Sequence, residues 1–177
     1  MDTIPEQGTQ RLIMRGEKPE DFGCFHRMLQ NREVLRFLTR TDPWPEHVVE
    51  YWLASQAAHW QAHRFGWWIL EEKEAGDVLG WYGLRRLQET GEVELLYLLR
   101  REDWGKGFAT EAAEASVAYA LEFTSLTSLV GLVHPENHAS VRILEKVGMA
   151  HIGESHYFGM RLLKYRLEWS VPSDSKD

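Results

Sequence analysis

The stretch Trp104-Gly105-Lys106-Gly107-Phe108-Ala109-Thr110 carries more chemical information than any other in the sequence. Its two glycines let the backbone turn sharply and come close to a ligand. Successive amides aimed at the start of a helix form a nest for phosphate oxygens. Lys106 adds a positive charge at the rim. The spacing is not the phosphate loop of nucleoside triphosphatases, which needs Gly-x4-Gly-Lys-Ser/Thr, and it lacks the third glycine of a dinucleotide fingerprint. A simple glycine turn before a helix is the plain alternative. A second stretch runs Asn137-His138-Ala139-Ser140-Val141-Arg142-Ile143-Leu144-Glu145-Lys146-Val147-Gly148-Met149. By itself it is an amphipathic helix with an asparagine cap and a glycine stop.

The surrounding pattern supplies the elements that must hold these stretches. Arg11 to Arg15 reads as a strand. Lys18-Pro19-Glu20-Asp21 starts a helix, because proline fits the first turn and acids favour the N-terminal dipole end. Pro45-Glu46 opens a second helix to about Arg64. Strands follow at Trp67–Glu72, Val78–Leu87 and Glu92–Leu99, separated by turn residues. An alanine- and glutamate-rich helix is predicted from about Gly107 to Phe123. A short strand, Leu129–Val133, precedes the helix capped by Asn137, and strands near Ala150–His156 and Met160–Ser170 close the chain. The order β-α-α-β-β-β-α-β-α-β-β is an α/β mixture, α+β in layout, and not a regular βαβ array.

Composition narrows the function. The chain has 177 residues, within the range of about 100–200 for one domain. That domain is expected over residues 9–170, with residues 1–8 and 171–177 as flexible tails. Apolar residues make up 44% and charged residues 27%, which excludes a mostly disordered chain. The net charge of −7 leaves no basic surplus to neutralise phosphates, so nucleic acid is not the expected partner. No apolar run approaches the roughly 20 residues of a membrane span, and the N-terminus lacks signal-peptide blocks. Cys24 is the single cysteine and cannot form an internal disulfide, so the expected location is cytoplasmic.

Taken together, the two stretches resemble the GNAT superfamily of N-acetyltransferases, and most closely its ribosomal-protein N-terminal alanine acetyltransferase branch. Gly107-Phe108-Ala109 matches the Gly-x-Gly/Ala core of the family's acetyl-CoA pyrophosphate loop. Trp104 stands where the superfamily usually has Arg or Gln, a replacement common in this branch. Asn137, Ser140, Leu144-Glu145-Lys146 and Gly148 match the branch's Asn-x2-Ser-x3-Leu-Glu-Lys-x-Gly helix. Weaker echoes occur at Arg11–Arg15, Pro19-Glu20-Asp21 and Gly80-Trp81-Tyr82-Gly83, so the likeness spans about Thr9 to Trp169.

The resemblance implies a GNAT-like fold: a mixed, mostly antiparallel central sheet splayed between its fourth and fifth strands, with helices on both faces. Those strands are Glu92–Leu99 and Leu129–Val133. Acetyl-CoA is the implied co-substrate. Its pantetheine arm lies in the gap against the backbone of Leu98 and Leu99, as an added strand would. Amides from Gly105 to Thr110 take its pyrophosphate, with Trp104 at the loop's entrance, and a backbone amide at the strand's end polarises the thioester carbonyl. The acceptor is a primary amine, either a protein N-terminus or a small amine such as an aminoglycoside, polyamine or amino-acid derivative. It must be neutral to attack, which calls for a base or a water relay. Glu94 is the candidate base, with Glu92 a lesser one. Alternation places both on one face with Leu96 and Leu98, where partial desolvation raises a carboxylate's pKa. Many superfamily members protonate the leaving thiolate with a tyrosine seven residues after the asparagine. Leu144 is there instead, so Ser140 is the candidate acid, with Asn137 as cap or as holder of a water at the sulfur. The other function compatible with these motifs is a non-catalytic acyl-CoA-binding sensor or scaffold. The oligomeric state is left as monomer or homodimer.

Other residues have plainer readings. His59 and His63 lie one helical turn apart with no third ligand nearby in sequence, so no metal site is expected. His134 reads as a loop histidine and Cys24 as a buried structural thiol. Trp44 lies between two prolines, in a loop that borders the acceptor pocket in the family this chain resembles; the resemblance thus implies Phe37, Trp44, Tyr157 and Phe158 as candidate walls of that pocket.

Overall fold

The computed structural model describes residues 4–170. The first three residues and the expected C-terminal tail, residues 171–177, lie outside the described residues. Eight strands form one sheet: β1 (Gln7–Gly8), β2 (Leu12–Arg15), β3 (Trp67–Glu72), β4 (Val78–Arg86), β5 (Val93–Leu99), β6 (Ser128–Val133), β7 (Ala150–Tyr157) and β8 (Met160–Glu168). Their spatial order is β1-β2-β3-β4-β5-β6-β8-β7, and every neighbouring pair is antiparallel except β5–β6. The expected strands are all present. The fourth and fifth of that expectation become β5 and β6, because β1 adds a strand at the start.

Residues 4–8 differ from the expected tail. Gln7 and Gly8 pair with Met14 and Ile13, and Trp68 Nε1 donates to Pro5 O at 2.7 Å. Two residues are too few for an alternation signal, so this strand is invisible in sequence.

The helices divide between the two faces. On one face lie α1 (Phe22–Met28), α2 (Arg32–Leu35) and α3 (Glu46–His63). Phe25, Val49 and Leu53 pack there on Trp67, Ile69, Trp81 and Leu98. The helix α2 was not expected. It is a single turn, started by Asn31, whose Oδ1 accepts from Glu33 N at 2.9 Å. On the other face lie α4 (Phe108–Phe123) and α5 (His138–Lys146). Phe108, Ala112, Ala113, Val117 and Ala120 bury one stripe of α4 against Tyr82, Leu84, Leu95 and Leu99. The α5 helix comes in close over β6: a Cβ on Gly131 would lie 2.7 Å from Leu144 Cδ1, so any side chain there would force Leu144 to shift. Among the described residues no helix is long and apolar enough to cross a membrane.

The β5–β6 junction positions the site. These parallel strands are bridged only at Glu94↔Val130. Beyond that pair they diverge, and the sheet opens into a cleft.

Candidate active site

The cleft encloses about 680 Å³, within the usual span of small-molecule sites. One wall is β5 and the other is β6 with the start of α5; the floor is the loop that leads into α4.

The glycine loop has the conformation its residue types require. Gly105 and Gly107 sit at φ 76° and 85°, in the left-handed region that side chains disfavour. Gly107 is the N-cap of α4, so the amides of Phe108, Ala109 and Thr110 begin a helix and lack intrahelical acceptors. Gly105, Gly107, Phe108, Ala109, Thr110 and Trp104 all line the cleft. Lys106 does not: its Nζ turns back to Asp103 Oδ1 at 3.0 Å. A clasp missed in the sequence secures the loop from outside. Arg11 Nη1 donates to Lys106 O at 2.9 Å, Arg11 Nε to Glu111 Oε2 at 2.7 Å, and the guanidinium lies 4.5 Å over the Phe108 ring. Burial pushes the Glu111 pKa up, but bonds from Thr9 and Arg11 outweigh it and hold the carboxyl below its ordinary value.

The β5 backbone divides its groups between two sides. Leu87 N donates to Glu92 O and Arg100 N to Leu79 O, each at 2.8 Å. In an antiparallel ladder these bonds set the phase. Even-numbered residues bond to β4, while Leu95, Tyr97 and Leu99 turn their N–H and C=O groups toward the gap. Leu98, expected beside Leu99 as a backbone contact, therefore faces β4, and Tyr97 takes its place. Trp104 Nε1 donates to Leu99 O at 3.0 Å, which anchors the indole at the loop's entrance.

Side chains alternate as well. Glu94 falls on the α1–α3 face and is 6% exposed. Its register partner Arg85 donates to Glu94 Oε2 from Nε at 3.1 Å and from Nη2 at 2.5 Å. Burial raises the Glu94 pKa above the ordinary value, and the Arg85 charge opposes this without cancelling it. Glu92 behaves oppositely. Burial raises its pKa, but bonds from Lys164, Tyr157 and Arg166 prevail and bring it down to about 2. Glu92 is thus a structural anion and not a base.

Across the gap, Asn137 Oδ1 accepts from Ser140 N at 3.2 Å, as an N-cap does. Tyr97 Oη donates to Ser140 Oγ at 2.6 Å. Tyr97 stacks flat on Tyr82, centroids 4.7 Å apart. Burial lifts the Tyr97 pKa to about 12 despite the bond to Ser140. This bond ties Ser140, at the start of α5, to β5 across the cleft. Tyr97 was missed because its alternation with Leu95 and Leu99 reads as core.

Of the expected acceptor walls, Phe37, Trp44 and Phe158 line the cleft and Tyr157 does not. Tyr157 is buried among Leu87, Val130 and Leu162, with its hydroxyl on Glu92 at 3.0 Å. Phe37 lies tilted against His134, ring centroids 5.1 Å apart. His59 holds α3 to the sheet: Nδ1 meets Phe65 O at 2.9 Å and Nε2 accepts from Arg86 N at 3.1 Å. With both ring nitrogens engaged and burial lowering its pKa to about 4, it is a neutral strut. Cys24 Sγ donates to Val78 O at 3.4 Å, and burial raises its pKa, so it stays a thiol.

The comparisons with known proteins agree with this geometry. The acetyltransferase (GNAT) domain family matches residues 11–150. The YkkB protein of Bacillus subtilis (strain 168) is 36% identical over 84 residues, which are 46% of this chain and 49% of that one; the match thus spans about half of that relative's length. The N-acetyltransferase p20 of Bacillus licheniformis is 29% identical over 149 residues, 82% of each chain. The crystal structure of an acetyltransferase from Agrobacterium tumefaciens str. C58 superposes with a TM-score of 0.83 at 25% identity, over 95% of this chain and 96% of that one. The splayed sheet, the glycine loop and the family match converge on one conclusion: this chain belongs to the GNAT acetyltransferase family and is an N-acetyltransferase.

Proposed function

We propose that the cleft transfers an acetyl group from acetyl-CoA to a primary amine by direct attack, with both substrates bound at once. The observation that carries this reading is the placement of Glu94 and Ser140. Both line one cleft, yet they approach the gap from opposite faces of the sheet. An amine arriving from the α1–α3 face meets Glu94, and the thioester sulfur comes to lie toward Ser140.

The residues suit acetyl-CoA. The free amides of Phe108 to Thr110, with Gly105 and Gly107, form the pyrophosphate nest. Backbone groups of Tyr97 and Leu99 pair with the pantetheine amides as an added strand would. Glu94 takes a proton from the acceptor ammonium. The neutral nitrogen attacks the carbonyl carbon and the C–S bond breaks; the Ser140 hydroxyl passes its proton to the thiolate and is reprotonated by the second nitrogen proton, which leaves as the amide forms. Tyr97 is a positioning residue: it stays protonated and fixes the direction of the serine hydrogen. The cytoplasm is the compartment we propose.

Calorimetric titration with acetyl-CoA, with ATP as control, tests the reading. Micromolar binding of acetyl-CoA that Gly107→Asp abolishes, followed by CoA release in the presence of amines, is the expected result. Equal binding of ATP, or binding that survives Gly107→Asp, contradicts it. Binding without transfer to any amine leaves an acyl-CoA sensor instead.

A further inference from the structure

The acids lining the cleft all have basic partners. Glu33 pairs with Arg101 at 2.5 Å, Glu136 with Arg36 at 3.6 Å, and Asp103 with Arg100 at 2.6 Å and Lys106 at 3.0 Å. Glu94 pairs with Arg85 at 2.5 Å. Among the described residues the cleft therefore offers no unpaired carboxylate to a polycationic acceptor, although the whole chain carries −7.

Arg85 is the distinctive group. Its side chain is 36% exposed against 7% for Glu94, so the cation is the more open half of the pair. Both of its bonds to Glu94 use Nε and Nη2 and fall on the single oxygen Oε2. Phe158, from the turn between β7 and β8, lies 5.1 Å from the guanidinium and covers one face of it. This leaves a planar, oriented fork beside the base, the geometry that suits a carboxylate.

We propose that the acceptor is a primary amine bearing its own carboxylate close to the nitrogen, as in a free α-amino acid, and that Arg85 is its receptor. This rests on the transferase reading above. A zwitterion has a cation and an anion separated by one carbon, and the Arg85–Glu94 contact pair is its complement. On binding, the acceptor carboxylate takes the Arg85 fork and the ammonium takes Glu94. Glu94 then accepts one ammonium proton, nitrogen bonds to the acetyl carbon, and the thioester C–S bond breaks. The second nitrogen proton leaves as the amide forms. One of the two protons ends on CoA sulfur and the other in solvent. A peptide N-terminus lacks the adjacent carboxylate, and a polyamine lacks it altogether.

The test follows CoA release from acetyl-CoA with a thiol-reactive dye. The panel is the L-α-amino acids, each beside its carboxamide and its decarboxylated amine, with spermidine added. At least one amino acid is expected to exceed its carboxamide and its amine in kcat/KM by about a hundredfold. Arg85→Gln should raise KM for that amino acid and erase the preference while acetyl-CoA binding is kept. The wild-type ranking stands without the variant, should Arg85→Gln fold poorly. Equal or better turnover of carboxamides or amines, or a preference that survives Arg85→Gln, overturns the inference and leaves the transferase reading intact. No turnover of any amine, with acetyl-CoA still bound, overturns both.

Discussion

Burial and pairing give the two glutamates of one strand face opposite characters. Glu94 is enclosed and meets one arginine, so its proton is held more tightly than in water. Glu92 meets a lysine, an arginine and a tyrosine hydroxyl, so its proton is held loosely. A base of raised pKa is ionised only above that pKa. The rate should therefore fall as pH drops through a value above the ordinary carboxylate range. Glu94→Gln should lower kcat by roughly 10²–10⁴ and remove that limb of the pH profile; an unchanged limb would dismiss Glu94 as the base. On the thiolate side, Ser140→Ala should reduce kcat with little change in KM for acetyl-CoA. Tyr97→Phe should reduce it less, because the serine keeps its proton and loses only its orientation. A Tyr97→Phe enzyme slower than Ser140→Ala would make Tyr97 itself the acid. Glu94 was legible because alternation put a carboxylate beside leucines. Arg85 and Tyr97 were not, since one depends on the β4–β5 register and the other on where α5 lands.

At the scale of elements, the fold must keep two strands apart at one end and joined at the other. The joint is the Glu94↔Val130 bridge, reinforced just before β5 by Glu92. That carboxylate binds Lys164 at 2.7 Å and Arg166 at 2.5 Å, both on β8. The Glu92 pKa falls on folding from 4.5 to about 2, so its stabilisation is complete above 4.5 and disappears as pH falls from 4.5 to about 2. Glu92→Gln should cost about 2–3 kcal/mol near neutral pH. Thermal melts should show the gap between wild type and variant closing over that acidic window; a gap that persists at pH 2 would assign the loss to packing instead. The long elements were legible because alternation, the alanine-rich run and the glycine and asparagine caps are local signals. The β1 strand and the α2 turn were not, because each is too short to carry a period and exists through contacts made elsewhere in the chain.

For the whole molecule, function depends on bringing together segments far apart in sequence. Arg11 clasps the glycine loop, Glu94 and Tyr97 leave β5 on opposite faces, α5 delivers Ser140, and Phe158 reaches over Arg85 from the last hairpin. The glycine loop and the α5 motif could be read in order along the chain, and with them the family. The acceptor side could not, because its charges are fixed by pairings across the sheet. The net charge of −7 is a poor guide to the acceptor, because the acids lining the cleft are already paired. All of this requires acetyl-CoA to occupy the opening between β5 and β6. Amide hydrogen exchange, measured with and without acetyl-CoA, tests it most directly. Slowed exchange is expected at Gly105 to Thr110 and at Tyr97 and Leu99, with Leu98 already protected by β4 before ligand is added. Saturating acetyl-CoA that leaves those loop and strand amides unchanged would contradict it.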